Sequence, residues 1–361
     1  MKNKEAEKIL TNDLGITLSE FPKNITLKYD KEEGTLAMEL CAAAAGLCKG
    51  NFINMQDDAA AFEAWALIIK AEADYRKKNL KKIVLSVKGV SDSDYNIAKP
   101  SNGCLGRFLY RILKFKEQYG EWFDLSDILK GYRDNFISYL SEEHEFKNNV
   151  PSGEAETNED KLWNKGLEKY VEWKFGTDNE LKENILGLAK DTIIDRQLPV
   201  GLYEDKLKKD NVVFTGGSAA IDFWALDDKK KSINVYELKT KNKMVGVLTE
   251  IFFYSNYVND IFVNQKIGDG YGKIVKSKIK NARKKVSHRN YEKLEIDLAN
   301  YKVKGIMICD FLHSDIIDNW ESLIKLMNTN GVIDYSNIKF ELELELELPK
   351  VKKNSPVCKN Y

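Results

Sequence analysis

The 361-residue chain is short of histidine and cysteine, carries no net charge and has no long apolar run. Its five cysteines, Cys41, Cys48, Cys104, Cys309 and Cys358, form no CxxC pair, which argues against a structural zinc site and for a reducing compartment. The three histidines, His144, His288 and His313, have no nucleophile at a catalytic spacing. Fifty-six Lys and Arg cancel fifty-six Asp and Glu, so no global field draws the chain to nucleic acid or to an anionic membrane. Any such affinity must come from a local patch. No stretch matches the about 20 apolar residues that span a bilayer, and no apolar signal core follows Met1-Lys2-Asn3-Lys4-Glu5. A cytoplasmic location without membrane contact is expected. G-x-S-x-G, H-E-x-x-H and an EF-hand loop are missing, and Gly268-Asp269-Gly270-Tyr271-Gly272 lacks phosphate-loop spacing and reads as a hinge.

What is present is enough apolar material for real cores: 43% hydrophobic and 11% aromatic residues. The length predicts two domains. Residues 147–160 hold one large apolar residue, Val150, and mark the expected boundary. Residues 1–150 read as an α+β module for substrate or partner selection. Its strands are expected at Ile25–Tyr29, Thr35–Leu40 and Ile83–Lys88, and its helices around Phe62–Ala73, Leu105–Ile112 and Leu129–Tyr139.

Residues 151–361 order their periods more tellingly. Thr157 and Asp160 have capping-box spacing, and Trp163, Leu167, Val171 and Phe175 make the stripe of one amphipathic helix. Strands follow at Ile193–Leu202, Ala219–Leu226 and Ile233–Leu238, with Gly216-Gly217 and Asp227–Lys231 as turns. A helix over Val247–Ile261, a strand over Val303–Phe311 and a helix over Trp320–Met327 come next. A last strand, 338–348, alternates leucines with Glu341, Glu343, Glu345 and Glu347, a half-buried pattern with an acidic outer face.

Chemistry concentrates at Asp222 and, fifteen positions on, Glu237-Leu238-Lys239. Strand alternation puts Glu237 and Lys239 on one face with Leu238 on the other. If the two strands pair, Asp222 reaches the same spot. Carboxylates crowded together repel unless a proton or cation sits between them, and Mg²⁺ (or Mn²⁺), which favours carboxylate and phosphate oxygens, meets that need. Phosphodiester hydrolysis is the chemistry implied, with Lys239 orienting water or offsetting charge. An acid-x-Lys triplet alone arises by chance about seven or eight times at this composition, so the weight lies in its strand and helix context.

A second feature is basic. From Lys273 to Arg289 there are eight Lys or Arg and no acid, while Val275, Ile279, Ala282 and Val286 mark one apolar face. The pattern predicts an amphipathic helix that contacts phosphates through Lys273, Lys276, Lys280, Arg283 and Lys284.

Gln197-Leu198-Pro199-Val200-Gly201, Gly216-Gly217 leading to Ile221-Asp222, Tyr236-Glu237-Leu238-Lys239 and Glu250-Ile251-Phe252-Phe253-Tyr254 together resemble the PD-(D/E)XK nuclease superfamily over about residues 155–312. Ile221 stands where the family name has Pro, and Glu250 where some relatives have Gln. The resemblance implies an α/β fold, a mixed four-stranded sheet flanked by helices (a restriction-endonuclease-like core), behind the separate α+β domain. It implies catalytic Asp222, Glu237, Lys239 and Glu168, the last from the entry helix and preferred to Glu172. It implies a metal set of Asp222, Glu237 and Leu238, with Gln197 near substrate or metal-bound water. The expected function is a Mg²⁺- or Mn²⁺-dependent nuclease on DNA rather than RNA, in restriction or anti-phage defence; a homodimer is compatible with it. The rivals are an inactive nucleic-acid-binding or assembly protein on the same fold, and a scaffold without such affinity.

Overall fold

A computed structural model describes residues 3–48, 52–90, 100, 102–151, 156–241, 244–268, 270–278, 290–311, 313–317 and 320–339. In chain order its elements are α1 (Lys4–Lys8), β1 (Ile25–Asp30), β2 (Thr35–Leu40), α2 (Phe62–Tyr75), β3 (Lys82–Val87), α3 (Gly103–Tyr119), β4 (Phe123–Leu125), α4 (Asp127–Ser141) and β5 (Glu145–Asn148). Then come α5 (Glu159–Lys165), α6 (Leu167–Thr177), α7 (Asn179–Asn184), β6 (Ile193–Glu204), β7 (Val212–Asp227), β8 (Ser232–Lys239), α8 (Gly246–Val258), β9 (Lys266–Ile267), β10 (Tyr271–Val275), β11 (Lys302–Cys309), α9 (Ser314–Ile317), α10 (Trp320–Met327) and β12 (Ile333–Lys339).

The architecture is mixed α/β. A four-stranded mixed sheet, β1-β2-β3-β4, comes from the first part of the chain. A second sheet runs β12-β11-β8-β7-β6-β5-β10-β9, so four of the five strands expected after the boundary, β6, β7, β8 and β11, are neighbours within an eight-stranded sheet. Within it β6, β7 and β8 form an antiparallel meander, and β11 lies parallel to β8 because an intervening helix carries the chain across.

The expected boundary does not separate two cores. β5, from the N-terminal side, pairs antiparallel with β6 and parallel with β10. Buried side chains of both halves, among them Trp65, Phe108, Phe115, Phe214, Phe252 and Val258, form one cluster on one face of the large sheet. The opposite face carries a smaller cluster, Tyr170, Val171 and Phe175 of α6 against Phe223, Tyr236, Leu238 and Ile308. Composition locates a polar segment at 147–160 but says nothing of which strands pair across it.

Two glycines fix how helices meet this scaffold. A Cβ at Gly106 of α3 would lie 1.8 Å from the Val213 carbonyl oxygen of β7, and one at Gly246 of α8 would lie 1.8 Å from that of Gln56. Only bare backbone allows either approach.

Several local expectations are corrected. The entry helix is two helices, because Gly166 at φ 125° and ψ 159° interrupts it in a region open only to glycine, and its N-cap is Asn158, whose side chain accepts from the Lys161 amide. Gly216 and Gly217 make no turn: β7 runs through them, and its ladder with β6 slips register between Val200 and Leu202, as at a bulge. Residues 271–275 form β10 instead of the start of a basic helix; Gly272 and Ile274 are buried while Lys273 is exposed, a period of two. Positions 279–289, with Lys280, Arg283 and Lys284, and the stretch 340–348 of the last strand lie outside the described residues. Among the described residues no helix is long and apolar enough to cross a membrane.

Candidate functional site

The candidate site forms where the β7–β8 ladder stops. The last paired residues there are Phe223 and Tyr236; one step on, Asp222 accepts the Leu238 amide proton through Oδ2 at 2.9 Å instead of continuing the ladder. Alternation turns Tyr236 and Leu238 to the α6 face and sends Glu237 and Lys239 to the α8 face. Leu238 therefore serves the site through its main chain alone; its side chain is core.

Lys239 is held by two acids. Its Nζ lies 2.5 Å from Glu237 Oε1 and 2.8 Å from Glu250 Oε2 of α8. Burial works to strip its proton, but Glu237, Glu250, Asp222 and Glu168 together hold the amine well above the usual lysine range. Glu237 is 2% exposed and its Oε2 has no hydrogen-bond partner. Burial first, then the charges of Asp222 and Glu250, push its carboxyl well above the ordinary value.

The other side is built by α6. One oxygen from each of Glu168, Glu172 and Asp222 can be chosen so that all lie within 4.8 Å of one another. Lys169 Nζ sits 2.5 Å from Glu172 Oε1 and 3.8 Å from Asp222 Oδ1. Gln197, opposite Asp222 in the β6–β7 register and at φ 52°, donates Nε2–H to Glu172 Oε2 at 2.8 Å. Burial and then Asp222, which shares a hydrogen bond with it, raise the Glu172 carboxyl to about 8. Glu168 is raised too, by burial with Asp222 and Glu250 against Lys239 and Lys169. Cys309, beside Lys239 in the β8–β11 register, is pushed up to about 12 by burial and stays a thiol.

Asp222, Glu237, Lys239, Glu168 and Gln197 are thus brought together. Lys273 and Lys276 are not. Lys273 lies on β10, three strands from β7 and so about 14 Å across the sheet, and Lys276 Nζ caps the Leu294 and Ile296 carbonyls of its own chain. Glu172, ranked behind Glu168 from the sequence, joins it in the site, whereas Lys169 and the carboxylate of Glu250 as a partner of Lys239 escaped the sequence reading. A second group, His144, Glu204 and Asp205, could also gather ligand oxygens and nitrogen, but His144 is already 3.0 Å from Glu142 and 3.4 Å from Glu204.

Five carboxylates, Glu168, Glu172, Asp222, Glu237 and Glu250, thus converge on two amines, Lys169 and Lys239. The excess of negative charge, the orphaned Glu237 oxygen and the oxygen-only donor set fit a hard divalent cation such as Mg²⁺ or Mn²⁺. Compared with known proteins, the chain matches no family model, no curated protein and no solved structure.

Proposed function

We propose that this chain is a divalent-metal-dependent phosphodiester hydrolase acting on nucleic acid, with DNA the expected substrate, built on a restriction-endonuclease-like core of β6, β7, β8 and β11. The observation that carries the reading is the carboxylate excess around Glu168, Glu172 and Asp222 at the end of a strand pair. Asp222 and the two α6 glutamates would hold the cation, with the free Oε2 of Glu237 beside them. When bound, Mg²⁺ or Mn²⁺ supplies neutralising charge at the phosphate and a more acidic water.

The chain's own groups do the rest. Leu238 N–H fixes the Asp222 carboxylate, and Gln197 and Lys169 fix Glu172. Lys239 keeps its proton and offers a positive charge at the reacting phosphate, while Glu237 and Glu250 hold the ammonium in place. A role in restriction or anti-phage defence goes with this reading by analogy of architecture alone.

One observation favours a second reading, an inactive nucleic-acid-binding protein on the same fold. Both site amines already pair with carboxylates that a cation would need, Lys169 with Asp222 and Glu172 and Lys239 with Glu237. Plasmid and single-stranded DNA incubated with Mn²⁺ separate the two. Wild type should cut, and Asp222→Ala and Lys239→Ala should each lose about 10²-fold or more. A wild type that binds Mn²⁺ and DNA without cutting supports the second reading; cutting that survives both substitutions ends the first.

A further inference from the structure

The site described above draws its acids from the C-terminal part of the chain, yet one cation that feels its Glu250, Arg107, comes from the N-terminal part. α3 and α8 lie side by side on the same face of the large sheet. Arg111 of α3 meets Thr249 of α8 through Glu63: Arg111 Nε donates to Glu63 Oε1 at 2.6 Å and Thr249 Oγ1 to Glu63 Oε2 at 3.1 Å. Further along, Gln118 Nε2 donates to Asn256 Oδ1 at 2.5 Å. Both pairs have the same sequence offset, so the helices run in the same direction. Phe115 against Phe252, with ring centroids 5.3 Å apart, lies between them. Arg107, one turn before Arg111 on the same side, is therefore level with Val245, the cap of α8, about 7 Å along the helix from Glu250, which pairs with Lys239.

Arg107 differs from Arg111, Lys239 and Lys169. Arg111 is spent on Glu63 and the Ala60 carbonyl, Lys239 on Glu237 and Glu250, and Lys169 on Glu172 and Asp222. The half-buried Arg107 has no hydrogen-bond or ion-pair partner among the described residues, only the longer-range field of Glu250, Tyr254, Cys104 and Arg111. Burial and the neighbouring Arg111 work against its charge. Its backbone is fixed, since Gly106 rests on Val213 and Asn102, the cap of α3, donates to the Gly46 carbonyl at 3.0 Å. A guanidinium held in place with its donors uncommitted is matched by a phosphate, whose oxygens accept its planar fork in two parallel hydrogen bonds.

We propose that Arg107 binds a phosphate of the nucleic-acid strand next to the one that is cut, so that the N-terminal part of the chain completes the substrate site. This inference rests on the nuclease reading and deepens it: the substrate is a polyanion touching α3 as well as the β7–β8 end, beyond a single phosphomonoester.

The test separates binding from cleavage. Anisotropy of a labelled DNA oligonucleotide is measured in EDTA from 50 to 300 mM NaCl with wild type, Arg107→Ala and Arg107→Gln, the last keeping most of the stem's packing. Mn²⁺ binding is followed by calorimetry on the same proteins, and cleavage kinetics are taken with Mn²⁺. Loss of one phosphate contact should weaken binding about tenfold and lower the slope of log affinity against log salt by about 0.7 to 0.9. KM should rise more than kcat falls, with Mn²⁺ affinity unchanged. Equal affinity and equal salt slope in a folded Arg107→Gln overturn the inference while leaving a cutting wild type, and hence the nuclease reading, intact. A wild type that binds neither Mn²⁺ nor DNA overturns both.

Discussion

Binding of a divalent cation at Glu168, Glu172 and Asp222 must expel a proton, and the size of that release follows from the environment of Glu172. This carboxyl titrates near 8 in the folded chain because it is buried and bonded to Asp222. At pH 7 about 0.9 of the molecules carry its proton and at pH 9 about 0.1. A cation that needs the ionised form should therefore gain about tenfold in affinity per pH unit below 8 and level off above it. Calorimetry with Mn²⁺ in two buffers of different ionisation heat reads this directly: about 0.9 proton released at pH 7, about 0.1 at pH 9, and neither with Glu172→Gln. The sign for stability follows from the same shift. A carboxyl raised on folding favours the folded state fully below about 4.5 and loses that contribution as pH climbs through about 8. The metal-free protein should then lose up to about 5 kcal/mol across this window, and Mn²⁺ should restore part of it. No proton release at pH 7, or undiminished release from Glu172→Gln, would refute the argument.

Other perturbations test the scaffold. Replacing Lys239 by Met leaves Glu237 and Glu250 buried without their cation, so urea unfolding should show a loss of about 3 to 5 kcal/mol. Gly106→Ala sets a methyl group against the Val213 carbonyl; unfolding should reveal a loss of about 3 kcal/mol, and a change under 0.5, roughly the scale of a neutral surface substitution, would contradict the close approach of α3 to β7. Gly166→Ala meets no neighbouring atom, so its cost is backbone strain alone, about 1 to 3 kcal/mol, and it should weaken Mn²⁺ binding by displacing α6.

Much of the site was legible because it is written in strand periodicity. Asp222, Glu237 and Lys239 sit in short β-type runs whose alternation fixes their faces, and the β7–β8 hairpin aligned them. Glu172 was legible only as the alternative to Glu168. The apolar stripe of α6 reports which arc meets hydrophobic core, whereas Glu172 is buried beside that arc by Asp222 and Gln197, polar partners far along the chain. The basic run failed as a helix where it is described because β5 and β9 offered Ile274 and its neighbours a ladder, and propensity yields to such pairing.

The sequence by itself determined most strand and helix periods and the face each acid takes on its own strand, since these depend on neighbours within a few residues. Tertiary structure alone decided that β5 joins the large sheet, that one core spans both halves, that Glu250 pairs with Lys239, and that Arg107 lies within the field of Glu250. Those outcomes depend on which surfaces bury one another, and a buried charge finds its partner by position in space, which spacing along the chain does not encode.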